Sequence, residues 1–136
     1  MTDDALVAEA TSARAHAYAP YSQFRVGAAV LGGSGQVYRG CNVENGSYPL
    51  CVCAERVAIM NAIAAGESRV SRLAVVTDTS PPASPCGACR QVIFELGGPE
   101  CVVIFASIHG ERRQLLAREL LPEGFDGALL RERAPR

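Results

Sequence analysis

Lysine and tryptophan are absent from this chain, and histidine and methionine are scarce, with two residues of each. All thirteen basic residues are therefore arginines, spread along the chain apart from Arg112–Arg113 and an arginine-rich tail at 131–136. The formal net charge is -1. A polyanion is normally bound by a dense basic surface, which this pattern does not predict. We expect no nucleic-acid partner.

A long hydrophobic run and a basic leader are also missing. No apolar stretch approaches the roughly 18 residues that a membrane span needs. The chain begins Met1-Thr2-Asp3-Asp4, which is acidic where a secretory signal is basic. We therefore expect a cytoplasmic protein with no membrane segment.

The length of 136 residues fits one compact domain over residues 1–136, and a hydrophobic share of 49% fits a globular core. The six cysteines are an even count, which in a small secreted protein would suggest disulfides. Without a secretory signal, free thiols or a metal site are the better expectation.

Helical and strand-like segments alternate along the chain. Thr2 is a suitable cap for a helix that ends before Pro20, with one apolar face formed by Leu6, Ala10, Ala13 and Ala17. Strand patterns follow at 25–31 and 36–42, joined by a glycine-rich turn. Next comes a helix from Cys53 to Ala65, which should be largely buried because its composition is mostly apolar.

Two short, continuous apolar runs, 73–77 and 102–105, are typical of central strands covered on both faces. A helix at 86–96 separates them, and a weaker strand after Gly110 precedes a helical piece from about Leu115. This order predicts an α/β fold, a three-layer α/β/α sandwich on a mixed sheet.

Three cysteines and one glutamate stand at the starts of two predicted helices. Cys86 and Cys89 are three residues apart, so their sulfurs leave one helix on the same side. Cys53 and Glu55 open the other helix. Helix N-termini favour thiolates, and three thiolates suit zinc.

Ligand number separates a structural zinc site from a catalytic one. A structural site is normally closed by four protein ligands, whereas a catalytic site leaves a position for water. Only three ligands are well placed here, and a carboxylate on a buried helix is costly unless it is paired or working. C-x-E followed by P-C-x-x-C also matches the zinc deaminase signature. A structural zinc module with a fourth ligand from Cys51, Cys41 or a histidine remains an alternative.

Three segments carry a family resemblance: Gly40-Cys41-Asn42-Val43-Glu44-Asn45, Cys53-Ala54-Glu55-Arg56, and Ser84-Pro85-Cys86-Gly87-Ala88-Cys89-Arg90-Gln91. Together they resemble the cytidine deaminase family, small homotetrameric type, and weaker matches extend over nearly the whole chain. The resemblance implies a five-stranded sheet and hydrolysis of free cytidine and deoxycytidine to uridine and deoxyuridine with release of ammonia. The sequence departs from the family pattern at Gly46, where the family commonly has alanine, and at Pro49.

By that resemblance Cys53, Cys86 and Cys89 hold one Zn²⁺ per subunit. Glu55 is the catalytic proton shuttle while zinc-bound hydroxide attacks C4. The implied substrate-binding residues are Phe24 on the base, Asn42 and Glu44 on the ribose, Ala54, and three that reach a neighbouring subunit's site, Gly46, Tyr48 and Phe125. A nucleoside is the implied partner of a homotetramer with shared active sites.

Other residues carry separate expectations. Arg56 is expected to donate to the zinc-bound sulfurs, because it stands beside Glu55 in a helix otherwise nearly free of charge. Cys41, Cys51 and Cys101 are expected to be small buried hydrophobic residues. An alternative substrate is an aminopyrimidine nucleoside antibiotic; a base within RNA or DNA is disfavoured by the net charge.

Overall fold

A computed structural model describes residues 1–132, so the end of the arginine-rich tail lies outside the described residues. The chain runs α1 (Asp3–Arg14), β1 (Gly27–Gly32), β2 (Val37–Cys41), a 3-10 turn (Tyr48–Leu50), α2 (Ala54–Ala64), β3 (Val70–Thr77), α3 (Gly87–Gly97), β4 (Val102–Ser107), β5 (Arg112–Leu116), α4 (Ala117–Leu120) and α5 (Ala128–Arg131).

The five strands form one mixed sheet in the order β2-β1-β3-β4-β5. β1 is antiparallel to both β2 and β3, β3 and β4 are parallel, and β5 is antiparallel to β4. Helix α1 covers one face, and α2, α3 and α4 pack on the other. The predicted three-layer α/β/α sandwich on a mixed five-stranded sheet is therefore confirmed.

The continuous apolar runs in β3 and β4 are explained by burial on both sides. Along β3, Leu73 and Val75 point into the core under α2 and α3, while Ala74 and Val76 face α1. Successive residues of β4 alternate in the same way. Because strand side chains alternate between faces, a strand covered on both faces needs apolar residues throughout.

The first predicted helix is too long. Thr2 caps it as expected, since its hydroxyl accepts from the Ala5 N–H at 3.1 Å. The helix ends before Pro20 as expected, but already at Arg14, so Ala17, which was expected on its apolar face, lies outside it. Arg14 turns its side chain to the carbonyl of Arg25 at 2.9 Å, which anchors the helix end to the segment leading into β1.

Two other predictions need correction. The C-terminal helical piece begins at Ala117, because Leu115 and Leu116 pair with β4 and complete β5. Helix α2 is buried along only one side: Ala54, Ala58, Ile59 and Ala62 are covered, whereas Met60 is 49% exposed.

Glycine allows α2 to lie directly on β2. A Cβ atom at Gly40 would stand 2.3 Å from the Ala58 nitrogen and 2.6 Å from the Ala54 oxygen, both main-chain atoms. Only a residue without a side chain permits this approach.

Within residues 1–132, no helix has both the length and the apolar character needed to cross a lipid bilayer.

Candidate active site and metal centre

Two helix N-termini meet at a cluster of sulfur atoms. Cys53 is the residue that precedes α2, Cys86 is the residue that precedes α3, and Cys89 lies in the first turn of α3. The N-terminal amides and dipoles of both helices favour negative charge at this point. The cluster is therefore suited to thiolates.

The three sulfurs have the spacing of one metal's ligands. Sγ of Cys53 lies 3.8 Å from Sγ of Cys86, and all three sulfurs lie within 4.8 Å of one another. Two sulfurs bound at ~2.3 Å in tetrahedral geometry stand ~3.8 Å apart, so the donor set fits zinc. Among the described residues, no other group of three His, Cys, Asp or Glu ligands has this spacing.

Two thiols of the cluster, those of Cys53 and Cys89, have pKa values shifted in opposite directions. The pKa of Cys53 is lowered to about 5, first by the Cys89 thiol and then by the Arg56 guanidinium, whose Nη2 lies 3.6 Å from the Cys53 sulfur. The pKa of Cys89 is raised, because its thiol donates to Cys53 and is buried. The contact through Nη2 directs this guanidinium at the Cys53 sulfur, while its Nε is buried with no hydrogen-bond partner among the described residues.

Glu55 is a buried carboxylate beside the sulfurs. It is 5% exposed, and burial raises its pKa to about 7. A carboxyl group with that pKa is neither fully protonated nor fully ionised near neutral pH, so it is able to exchange protons. It opens, together with Cys53 and Cys86, onto one cleft.

The cleft has a volume of about 240 Å³ and a mostly apolar wall. That volume is below the common range of roughly 300–1,000 Å³ for ligand pockets, which suits a small molecule. Four of the predicted substrate-binding residues line it, namely Phe24, Asn42, Glu44 and Ala54. Phe24 is 38% exposed, so it is not an ordinary core aromatic.

Asn42 and Glu44 also organise the segment that carries Phe24. The Asn42 amide accepts from the Val26 N–H at 2.9 Å and donates to the Phe24 carbonyl at 2.7 Å. The Glu44 carboxylate accepts from the main-chain N–H groups of Tyr21 and Ser22 and from the Ser22 hydroxyl, which together lower its pKa. Each still has an unused donor or lone pair.

The remaining three predicted substrate-binding residues, Gly46, Tyr48 and Phe125, do not line the cleft. Tyr48 is 68% exposed and packs edge-on against Tyr21, with ring centroids 5.8 Å apart. A Cβ at Gly46 would lie 3.0 Å from the Tyr21 hydroxyl. Phe125 is largely exposed, and its carbonyl accepts from the Gln91 amide at 3.0 Å.

Two of the three cysteines outside the sulfur cluster differ from prediction. Cys101 is buried as expected, but Cys41 and Cys51 are only half-buried. Cys51 stands outside the three-sulfur group and lines the cleft, where its sulfur accepts from the Asn45 N–H at 3.3 Å. It does not contribute to the metal-binding cluster as a fourth ligand.

Several cleft residues were not foreseen from the sequence. Val26, Val52, Val75, Thr77 and Ala83 line the cavity with apolar groups and one hydroxyl. Ser84, quoted within a motif, also lines it, but no pattern indicated which way its side chain points. Residues of this kind become visible only when separate segments, here around Val26, Val52, 75–77 and 83–84, are brought together.

Known proteins share both the fold and the motifs. The family model described as "Cytidine and deoxycytidylate deaminase zinc-binding region" matches residues 1–105. The cytidine deaminase of Sporosarcina psychrophila is 45% identical over 125 residues, 92% of each chain. That of Halalkalibacterium halodurans is 48% identical over 120 residues, 88% of this chain and 91% of the relative.

Solved structures of cytidine deaminases are similar to this chain in fold and in sequence. The crystal structure of cytidine deaminase from Burkholderia pseudomallei has a TM-score of 0.90 and 50% identity, covering 92% of this chain and 100% of that one. The cytidine deaminase from Mycobacterium tuberculosis has a TM-score of 0.77 and 41% identity, with 92% and 98% covered. Because the family model matches residues 1–105 and relatives of 45–48% identity cover most of the chain, this chain belongs to the cytidine and deoxycytidylate deaminase family.

Proposed function

We propose that this protein hydrolyses the exocyclic amine of free cytidine and deoxycytidine, releasing ammonia and leaving uridine and deoxyuridine. One observation carries the proposal: Glu55 and two residues of the sulfur cluster, Cys53 and Cys86, open onto the same small cleft. Relatives at 45% and 48% identity are cytidine deaminases, which supports a nucleoside as the substrate.

Cys53, Cys86 and Cys89 are the proposed zinc ligands. Bound there, zinc supplies the Lewis acidity that makes water a nucleophile near neutral pH. Arg56 is proposed to donate to the sulfurs and to offset their negative charge, which would otherwise weaken that acidity. Its Nη2 lies 3.6 Å from the Cys53 sulfur, a distance that fits such a donor.

Glu55 is the proposed proton shuttle. It accepts a proton from the attacking water and delivers it to N3 of the pyrimidine, so that C4 becomes electrophilic. It then takes the second proton of that water from the C4 hydroxyl of the tetrahedral adduct and gives it to the departing amine, which leaves as ammonia. A pKa of about 7 suits both directions of transfer. Burial also keeps bulk water from competing with the substrate for this proton.

The nucleoside is proposed to lie along the cleft with its base against Phe24 and its amine toward the sulfurs. Ala54 lies beside the base, and the free hydrogen-bonding positions of Asn42 and Glu44 bind the ribose hydroxyls. The hydrogen bonds that Asn42 and Glu44 make to the 21–26 segment support this proposal, because they hold Phe24 and the ribose-binding groups in fixed relation.

A homotetramer with shared active sites is part of the proposal. Tyr48 and Phe125 are exposed and stand outside the cleft of their own subunit, and Gly46 adjoins Tyr48. Further exposed apolar side chains, which an assembly would cover, are Tyr18, Tyr21, Val43, Leu50, Met60, Leu129 and Leu130. Mixing inactive Glu55→Gln subunits with Phe125→Ala subunits should then restore part of the lost activity.

A cytoplasmic location is proposed because all six cysteines are free thiols. Thiols of this kind persist in reducing compartments. No nucleic-acid or membrane partner is proposed, since the cleft volume of about 240 Å³ suits a single nucleoside.

The decisive experiment follows the loss of the cytidine absorbance band with zinc-loaded wild-type protein and with Glu55→Gln checked for zinc. Turnover by the wild type alone supports the proposal. Turnover of single-stranded DNA in place of cytidine would contradict the substrate assignment. No turnover of any pyrimidine nucleoside by zinc-loaded wild type would contradict the reaction.

A further inference from the structure

The side chain of Arg90, on α3, joins two segments that are distant in sequence, one at Ser84–Pro85 and one at Leu120. Its Nε donates to the Pro85 carbonyl at 2.8 Å, its Nη1 to the Leu120 carbonyl at 2.9 Å, and its Nη2 to the Ser84 hydroxyl at 2.9 Å. A guanidinium presents its donors in a rigid planar fork, so three such bonds fix the relative positions of their acceptors.

Two of these acceptors lie next to the sulfur cluster. Pro85 precedes Cys86 directly, and Ser84 lines the cleft. Both belong to the irregular segment 78–86, which connects β3 to α3 and has no strand or helix of its own. The main-chain N–H of Arg90 also donates to the Cys86 carbonyl at 3.0 Å.

The third acceptor belongs to the core. Leu120 ends α4 and is buried in the cluster under α2 and α3. The adjacent Gln91 donates to the Phe125 carbonyl, so the same turn of α3 holds a second point of the C-terminal segment. Arg90 thus connects the loop that carries Cys86 to a buried part of the molecule.

Arg90 makes no ion pair within residues 1–132. Its described hydrogen bonds go to two carbonyls and a hydroxyl, rather than to a carboxylate. A lysine at this position would keep the charge but could not reach three divergent acceptors at once. The contacts of Arg90 therefore depend on the planar geometry of its guanidinium more than on its charge.

We propose that Arg90 is a positioning residue that holds Cys86 in metal-binding geometry by fastening the Ser84–Cys86 segment to the Leu120 carbonyl. The inference rests on the proposed function in one respect, that Cys86 is a zinc ligand. It adds a determinant of metal retention that lies outside the ligand set and is distinct from Arg56, which contacts the sulfur of Cys53 on the other helix.

The test compares Arg90→Lys with Arg69→Lys. Arg69 is a matched control, because its Nη2 donates to the Gly97 carbonyl at 2.9 Å at the opposite end of α3. Zinc-loaded proteins are mixed with excess chelating dye, and the rate of zinc release is followed. We expect release about ten-fold faster from Arg90→Lys, as for the loss of a residue supporting a metal ligand, and an unchanged rate from Arg69→Lys.

Cobalt-substituted proteins provide a second readout. The ligand-field bands should shift in Arg90→Lys and keep the wild-type positions in Arg69→Lys. Ser84→Ala removes one of the three contacts without disturbing Arg90, and it should give a smaller shift in the same direction. This variant keeps the test decisive if Arg90→Lys does not fold.

Wild-type release rates and cobalt spectra in both Arg90→Lys and Ser84→Ala would overturn the proposal. Equal acceleration in Arg90→Lys and Arg69→Lys would also overturn it, since that result reports general loosening of α3. Neither readout uses a nucleoside. A wild type that retains zinc but leaves cytidine unchanged would therefore contradict the proposed function and leave the role of Arg90 standing.

Discussion

The sulfur of Cys53 lies 3.8 Å from the sulfur of Cys86, although the two residues precede different helices. The contact depends on how α2 and α3 pack on one face of the sheet, with their N-termini side by side. The sulfur cluster is thus formed by the tertiary fold, because neither helix alone supplies all three cysteines.

Replacing Cys86 with serine should abolish stoichiometric zinc binding. The variant leaves two thiolates, and a serine hydroxyl is a poor zinc ligand at neutral pH. Zinc measured by mass spectrometry should fall from one ion per chain to a small fraction. Cys51→Ser is the matched control, because Cys51 stands outside the cluster; equal loss from both variants would contradict the ligand assignment.

Arg56→Gln should lower kcat about ten-fold while zinc remains bound, because the guanidinium beside the Cys53 sulfur no longer offsets the thiolate charge. Steady-state kinetics and metal analysis on the same sample measure both quantities. Arg39→Gln, which removes an exposed arginine paired with Glu9, serves as the control. Wild-type kcat and zinc content in Arg56→Gln would show that Arg56 has no such role.

Gly40→Ala should destabilise the protein by about 3 kcal/mol, because overpacking forces main chains apart. The new Cβ would stand 2.3 Å from the Ala58 nitrogen, so α2 must move together with Glu55. Urea denaturation gives the free energy of unfolding. Gly33→Ala, whose Cβ would meet its nearest neighbour at 3.6 Å, should leave stability nearly unchanged.

Cys101 should make stability fall at alkaline pH. Burial raises its pKa from 9.0 to about 11, so between these values the folded chain keeps a proton that the unfolded chain has lost. The free energy of unfolding therefore decreases as pH rises through this window, by about 2 kcal/mol. Cys101→Ala should lack this component; urea denaturation of both proteins at pH 8, 9.5 and 10.5 measures the difference, and parallel curves would contradict it.

Local patterns predicted the helices and strands well, because capping, turn glycines and apolar runs act over a few residues. Thr2 caps the start of α1 as its chemistry indicated. The end of α1 at Arg14 was missed, and so was the hydrogen bond from the Arg14 side chain to the Arg25 carbonyl, eleven residues away. Long-range contacts of this kind leave no periodic signal.

The candidate site likewise contains residues that the sequence predicted and contacts that it did not predict. The cysteines and Glu55 were visible because their chemistry is unusual at helix starts. The hydrogen bonds that join Glu44 to Ser22, or Arg90 to Leu120, were not visible, since each partner is an ordinary polar group until the fold brings the two together. A one-sided α2 was also missed, because composition does not distinguish an apolar residue in the core from one left exposed.

The seating of α2 on β2 at Gly40 also affects how this enzyme can change over evolution. Main chains in direct contact leave the helix no room to slide or rotate, so Glu55 and Cys53 stay fixed while sequences drift. The parts of the cleft wall at Val52 and Ala83 lie outside the named helices and strands, and loop positions tolerate substitution better than the elements that they connect. New substrate preferences should therefore arise by loop replacement, with the reaction centre inherited intact.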